Sequence, residues 1–260
     1  MNNRFLKDVK RYLPFSIISA QSQLKSEVAN SYLNWIWWIL DPICFMLIYT
    51  FIFGYVFNSK EPYFPVFIFI GLSMWEFFNR TMNNSVKLVK NNKSIVSKVY
   101  IPKYVLLLTK IWVNGFKMMV SFGVVVFMMV AFQVPVSWRV LYFFPVLVTL
   151  GIFTFGCGAH LMHFGVYVED LANVVVIVLR FVFYLTGIFY NIEKRIPGWG
   201  AQLNRYNPLA YLITAMRNCL IYETSPDIPL LLFWLAVGLI IAAFGIRRIY
   251  REENSYVKVI

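Results

Sequence analysis

Long apolar runs recur along this chain, most of them near the ~20 residues a helix needs to cross ~30 Å of hydrocarbon. Inside lipid every backbone polar group must be satisfied within the segment, so such runs become helices. They fall at roughly 33–57, 64–79, 104–131, 140–165, 172–191 and 228–246. The second is short and borrows flanking residues. Only 14% of the 260 residues are charged, against about 25% in a soluble domain, which leaves no room for a sizeable soluble module. The expectation is an all-α membrane protein with six transmembrane helices. It divides into a cytoplasmic interface segment (1–32), a six-span membrane domain (33–250) and a short cytoplasmic tail (251–260).

The basic residues fix the orientation. Fifteen lie on one side of these spans: Arg4, Lys7, Lys10, Arg11 and Lys25 before the first, six between Arg80 and Lys103, and Arg247, Arg248, Arg251 and Lys258 after the last. Six lie on the other: Lys60, Arg139, Lys194, Arg195, Arg205 and Arg217. The positive-inside rule puts both termini in the cytoplasm. The first apolar run begins after a long basic segment and is too long for a signal-peptide core. The formal charge of +12 is then accounted for by cytoplasmic loops meeting anionic lipid, and no nucleic acid partner is expected.

Other chemistry is sparse. Cys44, Cys157 and Cys219 are scattered and point to neither a disulfide framework nor a metal site. His160 and His163 share a helical face ahead of Glu169 and Asp170, but a helical metal site needs further ligands and outer-shell support. No metal is expected. Gly151, Gly156, Gly158 and the pair Gly238/Ala242 predict close helix approach. The sequons starting at Asn79, Asn83 and Asn92 lie on the cytoplasmic side, where glycosylation is not expected.

Two segments outside the spans carry a pattern. Phe5, Leu6, Val9, Tyr12 and Leu13 recur at helical spacing with Lys7, Lys10 and Arg11 between them, which makes a basic amphipathic helix suited to the membrane surface. Pro14 is expected to end or bend it. A weaker stripe, Ile17, Leu24, Val28 and Tyr32, leads to Trp35, Trp37 and Trp38, which anchor the first span at headgroup level. Residues 192–227 are apolar (Trp199, Leu209, Leu212, Ile213, Leu220) yet too short to cross twice, so they read as a re-entrant helical hairpin before the last span.

Tyr32–Pro42, with its Trp35, Trp37, Trp38 and Pro42, resembles the entry to the first span of ABC-type-2 exporter permeases, in particular those for O-antigen, capsule and teichoic acid. The similarity continues in order through Gly71 and Trp75, Asn91-Asn92 with Lys98-Val99-Tyr100-Ile101-Pro102, Val168-Glu169-Asp170-Leu171, and Gly187–Tyr190 followed by Asn207-Pro208 and Arg217. This resemblance implies a multi-pass subunit of a bacterial plasma or inner membrane, two copies of which form a pore for a lipid-linked polysaccharide. It implies two copies of a separate ABC ATPase subunit. The chain has no GxxxxGK[ST] loop of its own, so no cofactor is expected in it, and ATP and Mg belong to the partner. Lys87, Lys90, Lys93, Lys98, Glu169 and Asp170 fall in the loops where the family couples to its ATPase, with Lys7, Lys10 and Arg11 of the lipid-surface helix beside them.

A polysaccharide path needs flat surfaces on which sugar rings slide, and aromatic faces meet that need. Trp38, Phe45, Tyr49 and Phe53 lie close to one face of the first span, and Phe181 and Tyr184 lie three apart on the fifth, with Tyr190 further out. We place the path along these stripes; packing or lipid contact is the competing reading. Charges inside the spans need partners. Arg180 has Asp41 and Glu76 as candidates in a structural salt bridge, or else meets the diphosphate of the lipid carrier. Lys110 can snorkel; Lys117 lies too deep for that. A membrane transferase would gather acid–base or metal-binding carboxylates at one membrane face, which this chain does not. A type-2 permease for a drug or other small lipid-like substrate is the alternative.

Overall fold

In the computed structural model, described for residues 2–29, 34–57, 61–98 and 100–259, the chain is helical, with no strand among those residues. Helix α1 (Asn2–Ala29) opens it. Pro14 lies inside α1 and does not end it, the first of the two outcomes expected of it. The ring costs one backbone bond, on the order of 3 kcal/mol. Packing offsets it, because Ser16 and Ala20 are buried in the next turns while Lys7, Lys10 and Arg11 stay exposed. Tyr32 and Leu33 of the expected entry motif, with Lys60 and Val99, lie outside the described residues.

The first span is α2 (Asn34–Tyr49), which widens into a π-helical segment at Thr50–Val56. Helix α3 (Phe64–Val86) runs a full two turns beyond the expected end at 79. Two single turns follow, α4 (Leu88–Asn91) and α5 (Lys93–Val96). Helix α6 (Tyr104–Ala131) and helix α7 (Phe143–Tyr167), the latter entered through a 3-10 turn at Trp138–Tyr142, make the third and fourth expected spans. Helix α8 (Leu171–Leu185) stops six residues before the expected end. Thr186 and Gly187 break it there, and Gly187 has φ of 65°, a left-handed conformation that glycine adopts without strain. Helices α9 (Ile192–Arg195), α10 (Gly200–Tyr206) and α11 (Pro208–Leu220) form the helical hairpin expected in this connection. Helix α12 (Ile228–Val259) runs on past the span end expected at 246 and through the tail.

Four stretches among the described residues are long and apolar enough to cross a bilayer alone: Trp35–Val56, Tyr104–Ala131, Trp138–Tyr167 and Ile228–Glu253. The other two expected spans differ in kind. Helix α3 has 23 residues but carries Glu76, Arg80 and three asparagines in its second half. Helix α8 has 15, about 22 Å at 1.5 Å per residue.

Helix α3 is the central element. Its residues Val66, Ile68, Phe69, Ile70 and Met74 are wholly buried, and α6, α7, α8 and α11 pack round it. Helices α7 and α12 pair more closely than any other two: a Cβ on Gly156 would lie 2.9 Å from the Ala242 nitrogen, and one on Gly238 3.2 Å from that of Phe153. The close approach expected at Gly151 does not occur, since a Cβ there would meet no neighbouring helix within 4 Å. A second, smaller core forms at the end that carries the termini. There Leu88, Val96, Ile101, Tyr104, Met162, Val166, Ile249 and Tyr256 pack together, with Val9 and Tyr12 of α1 against them. Tyr250 donates to Asp8 Oδ2 at 2.7 Å, which joins the first helix to the last. Both termini and the basic loops therefore share one end, as the charge pattern requires.

Candidate functional site

Helices α2, α3 and α8 leave a cleft of about 420 Å³ between them. Trp75, Glu76 and Arg80 form its floor, Asp41, Phe45 and Tyr49 one wall, and Arg180, Phe183 and Tyr184 the other. The cleft exists because the three helices are unevenly buried. Helix α3 is sunk in the core, whereas α8 buries only Val175 and Leu179. Over the first span, 11% of the apolar window is buried.

The cleft is graded along its length. Toward the end of the termini it is charged. Arg80 Nε donates to Glu76 Oε2 at 2.8 Å, and its Nη2 lies 3.9 Å from Asp41 Oδ2. Toward the other end it is aromatic: Phe45 stacks near Tyr49 at 6.2 Å, and Trp75 tilts on Phe183 at 5.3 Å. Tyr49 and Phe53 continue the series onto Phe189, at 4.3 and 4.8 Å between ring centres. Five of the ten proposed path and intramembrane-charge residues thus meet in one place: Asp41, Phe45, Tyr49, Arg180 and Tyr184.

The other five do not. Trp38 turns to α6, edge-on to Phe116 and 5.1 Å from the Lys117 ammonium, because a cation over an indole face is a better partner than lipid. Phe53 is stacked into the core on Phe189. Phe181 is 68% exposed on the far side of α8 and does not line the cleft. Tyr190 lies past the end of α8, its hydroxyl donating to the Tyr184 carbonyl at 2.8 Å. Lys117 is paired with Glu27 of α1 at 2.6 Å. Asp41 and Glu76 lie beside Arg80, not Arg180; among the described residues no carboxylate lies within 4 Å of Arg180.

Beyond the aromatic end of the cleft sits a clamp that sequence reading counted as an outer charge and a motif residue. Arg217 is 3% exposed. Its guanidinium donates to the carbonyls of Phe67 (3.1 Å), Gly187 (2.8 Å) and Ile188 (2.8 Å), and stands 3.4 Å over the Phe67 ring. One side chain so joins α3, the corner after α8, and α11. The local sequence builds it. Asn207 Oδ1 caps α11 by accepting from Leu209 and Ala210, and Pro208 takes the first helical position. Gly71 leaves the space, since a Cβ there would fall 2.7 Å from Arg217 Nη2. Arg217 was visible as a motif residue, but nothing in its spacing announced burial.

At the opposite end, the expected coupling residues come together in part. Lys90 Nζ lies 3.4 Å from Glu169 Oε1, which brings α4 to the α7–α8 loop. Gly165 seats directly on the Val86 carbonyl, a contact no Cβ would permit. Lys87, Lys93, Lys98 and Asp170 are exposed on the same end. Lys103 is buried there, donating to the Ile101 carbonyl at 3.2 Å, and burial lowers its ammonium below the ordinary lysine value while Glu253 opposes the shift. His160 and His163 are engaged by α12, through the Ile241 carbonyl at 3.2 Å and the Tyr256 hydroxyl at 2.7 Å. Among the described residues no three His, Cys, Asp or Glu side chains gather as a metal site would require.

Comparison with known proteins identifies this arrangement. The chain is 26% identical to the O-antigen export system permease protein RfbA of Myxococcus xanthus over 255 residues, 96% of this chain and 97% of that one. It is 28% identical to the protein of the same name from Klebsiella pneumoniae over 204 residues, 78% of each chain. It is 23% identical to the polysialic acid transport protein KpsM of Escherichia coli over 216 residues, 75% of this chain and 77% of that one. Residues 17–221, which run from α1 through the hairpin, match the family described as ABC-2 type transporter. The chain is a membrane protein with a transport role, and it belongs to the ABC-2 type transporter family.

Proposed function

We propose that this chain is the membrane-spanning subunit of an ATP-driven exporter that carries a polysaccharide, built on a lipid carrier, out of the bacterial cytoplasm across the plasma or inner membrane. The cleft carries the reading. Its aromatic half offers flat faces to sugar rings, and tight polar binding, which would halt a moving polymer, is confined to one end. The near full-length similarity to an O-antigen export permease favours the same class of cargo, with capsule and teichoic-acid polymers as its chemical neighbours. A drug or other small lipid-like substrate is the second reading, and a cleft narrowed to a single closed pocket would favour it.

The chain hydrolyses nothing in this scheme. ATP and Mg belong to two copies of a separate ATPase subunit that dock on α4, α5 and the α7–α8 loop, with Lys87, Lys90, Lys93, Lys98, Glu169 and Asp170 at the contact. Lys7, Lys10 and Arg11 hold α1 on the lipid surface beside it. A second copy of the chain closes the open sides of α2 and α8 and turns two clefts into one pore. Helices α3 and α8 cross the membrane with the four longer stretches and complete six spans.

Deletion of the gene, followed by localisation of the polymer, tests the reading: polymer should accumulate inside the cell. Tyr49→Ala should reduce export while the transporter still assembles, and Trp38→Ala should act less, since Trp38 does not line the cleft. Normal surface polymer in a deletion strain lacking a second exporter would sink the proposal.

A further inference from the structure

A second polar cavity, of about 370 Å³, lies between the last turns of α1, the inner half of α3 and α6. A water molecule occupies roughly 30 Å³ of liquid, so the space holds far more than one. It shares Asn79, Arg80 and Asn83 with the cleft but is walled by α1 and α6 in place of α2 and α8.

Its charges do not balance. Arg80 is met by Glu76 at 2.8 Å, with Asp41 at 3.9 Å. Lys117 is met by Glu27 at 2.6 Å. Lys110 donates to Gln23 Oε1 at 2.8 Å, a neutral acceptor, and among the described residues no carboxylate lies within 4 Å of it. Glu27 also acts on Lys110 at longer range, so the two lysines share one carboxylate and one positive charge is in excess. The remaining polar groups are amides. Asn83 donates to Asn79 Oδ1 at 3.0 Å, which leaves the Asn79 amide nitrogen as a donor, and Asn84 stands exposed at the rim. A cation beside amide donors, with its neighbouring carboxylates already engaged, is the chemistry that holds a phosphate.

The position agrees. Glu27 lies just before the end of α1, where a basic surface helix gives way to the first span, at the level of lipid headgroups. We infer that this cavity binds the phosphate of a lipid headgroup, with Lys110 as its counter-charge and the Asn79 and Asn84 amides as donors. Two lipids supply that group: an anionic phospholipid of the bilayer, or a polyprenyl diphosphate of the kind on which polymers are built. Only the second source rests on the polysaccharide reading, so phospholipid binding survives the failure of that reading.

The full chain in phosphatidylcholine nanodiscs, titrated with phosphatidylglycerol or with a polyprenyl diphosphate and read by native mass spectrometry, tests the inference. The unmodified protein should retain one of the two above the zwitterionic background, and which one it retains identifies the source. Lys110→Gln should weaken retention about fivefold, the worth of one lysine near a membrane surface, and Lys110→Arg should largely keep it. Asn84→Asp, a change at the exposed rim that leaves the packing alone, should weaken it as well and serves where Lys110→Gln does not assemble. Equal retention by the unmodified protein and the assembled variants would overturn the site.

Discussion

Helices α8 and α11 meet at the same corner and are alike in length, 15 and 13 residues, yet their fates are opposite. The more apolar α8 is largely uncovered, and Arg180 on it has no ion pair among the described residues. The less apolar α11 buries ten of its residues, including Arg217 with three carbonyl partners. Hydropathy reports the solvent a helix can tolerate, and a bilayer tolerates α8 without protein round it. Burial reports which helix the fold needs. By that measure α11 is structure, whereas α8 is left open along most of its length.

The sharpest way to break this contrast is to remove the arginine from the buried side. Arg217→Met leaves three carbonyls without donors at roughly 1–3 kcal/mol for each one kept from water, so a loss of at least about 3 kcal/mol is expected, read as collapse of the monodisperse fraction on heating in detergent. Next comes Gly71→Ala, whose methyl would press on the clamped Arg217 Nη2 from 2.7 Å. Overpacking of this kind costs about 1–3 kcal/mol, and the same heating assay should place the variant between Arg217→Met and the unmodified protein. The smallest stability effect is expected on the open side. Arg180→Gln should leave the unfolding midpoint within about 0.5 kcal/mol of the unmodified protein while reducing polymer export. If Arg180→Gln destabilises as much as Arg217→Met, the two helices do not differ in the way proposed.

Sequence reached some of this and missed the rest for identifiable reasons. Asn207-Pro208 entered only through the resemblance, although its cap and first-turn chemistry is local and marks the start of α11. The helical N-terminal segment, the aromatic run of α2 and the four long apolar spans were likewise written in short-range periodicity. Partnerships between distant residues were not. Lys117 finds Glu27 ninety positions away, in a helix assigned to the membrane surface. Arg80, counted only as an orienting charge, takes the acids expected for Arg180, and its helical i, i+4 relation to Glu76 was the available signal. Trp38 shares a nominal face with Phe45 and Tyr49, but rotamer choice and a nearby ammonium decided where its ring went. Pro14 stayed within its helix because packing outweighs a single lost bond.

The contact of Gly165 with the Val86 carbonyl, and that of Arg217 with the Phe67 carbonyl, grip the same helix near its two ends. Helix α3 is therefore a lever, with one handle among the basic loops and the other beneath the outer hairpin. Its 23 residues make an arm of roughly 34 Å at 1.5 Å per residue, so a tilt of about 5° at the lower handle would carry the upper one by about 3 Å. That is close to the reach of the hydrogen bonds that hold the clamp, so a push of that size from below would arrive above as the parting or closing of α11 from the mouth of the cleft.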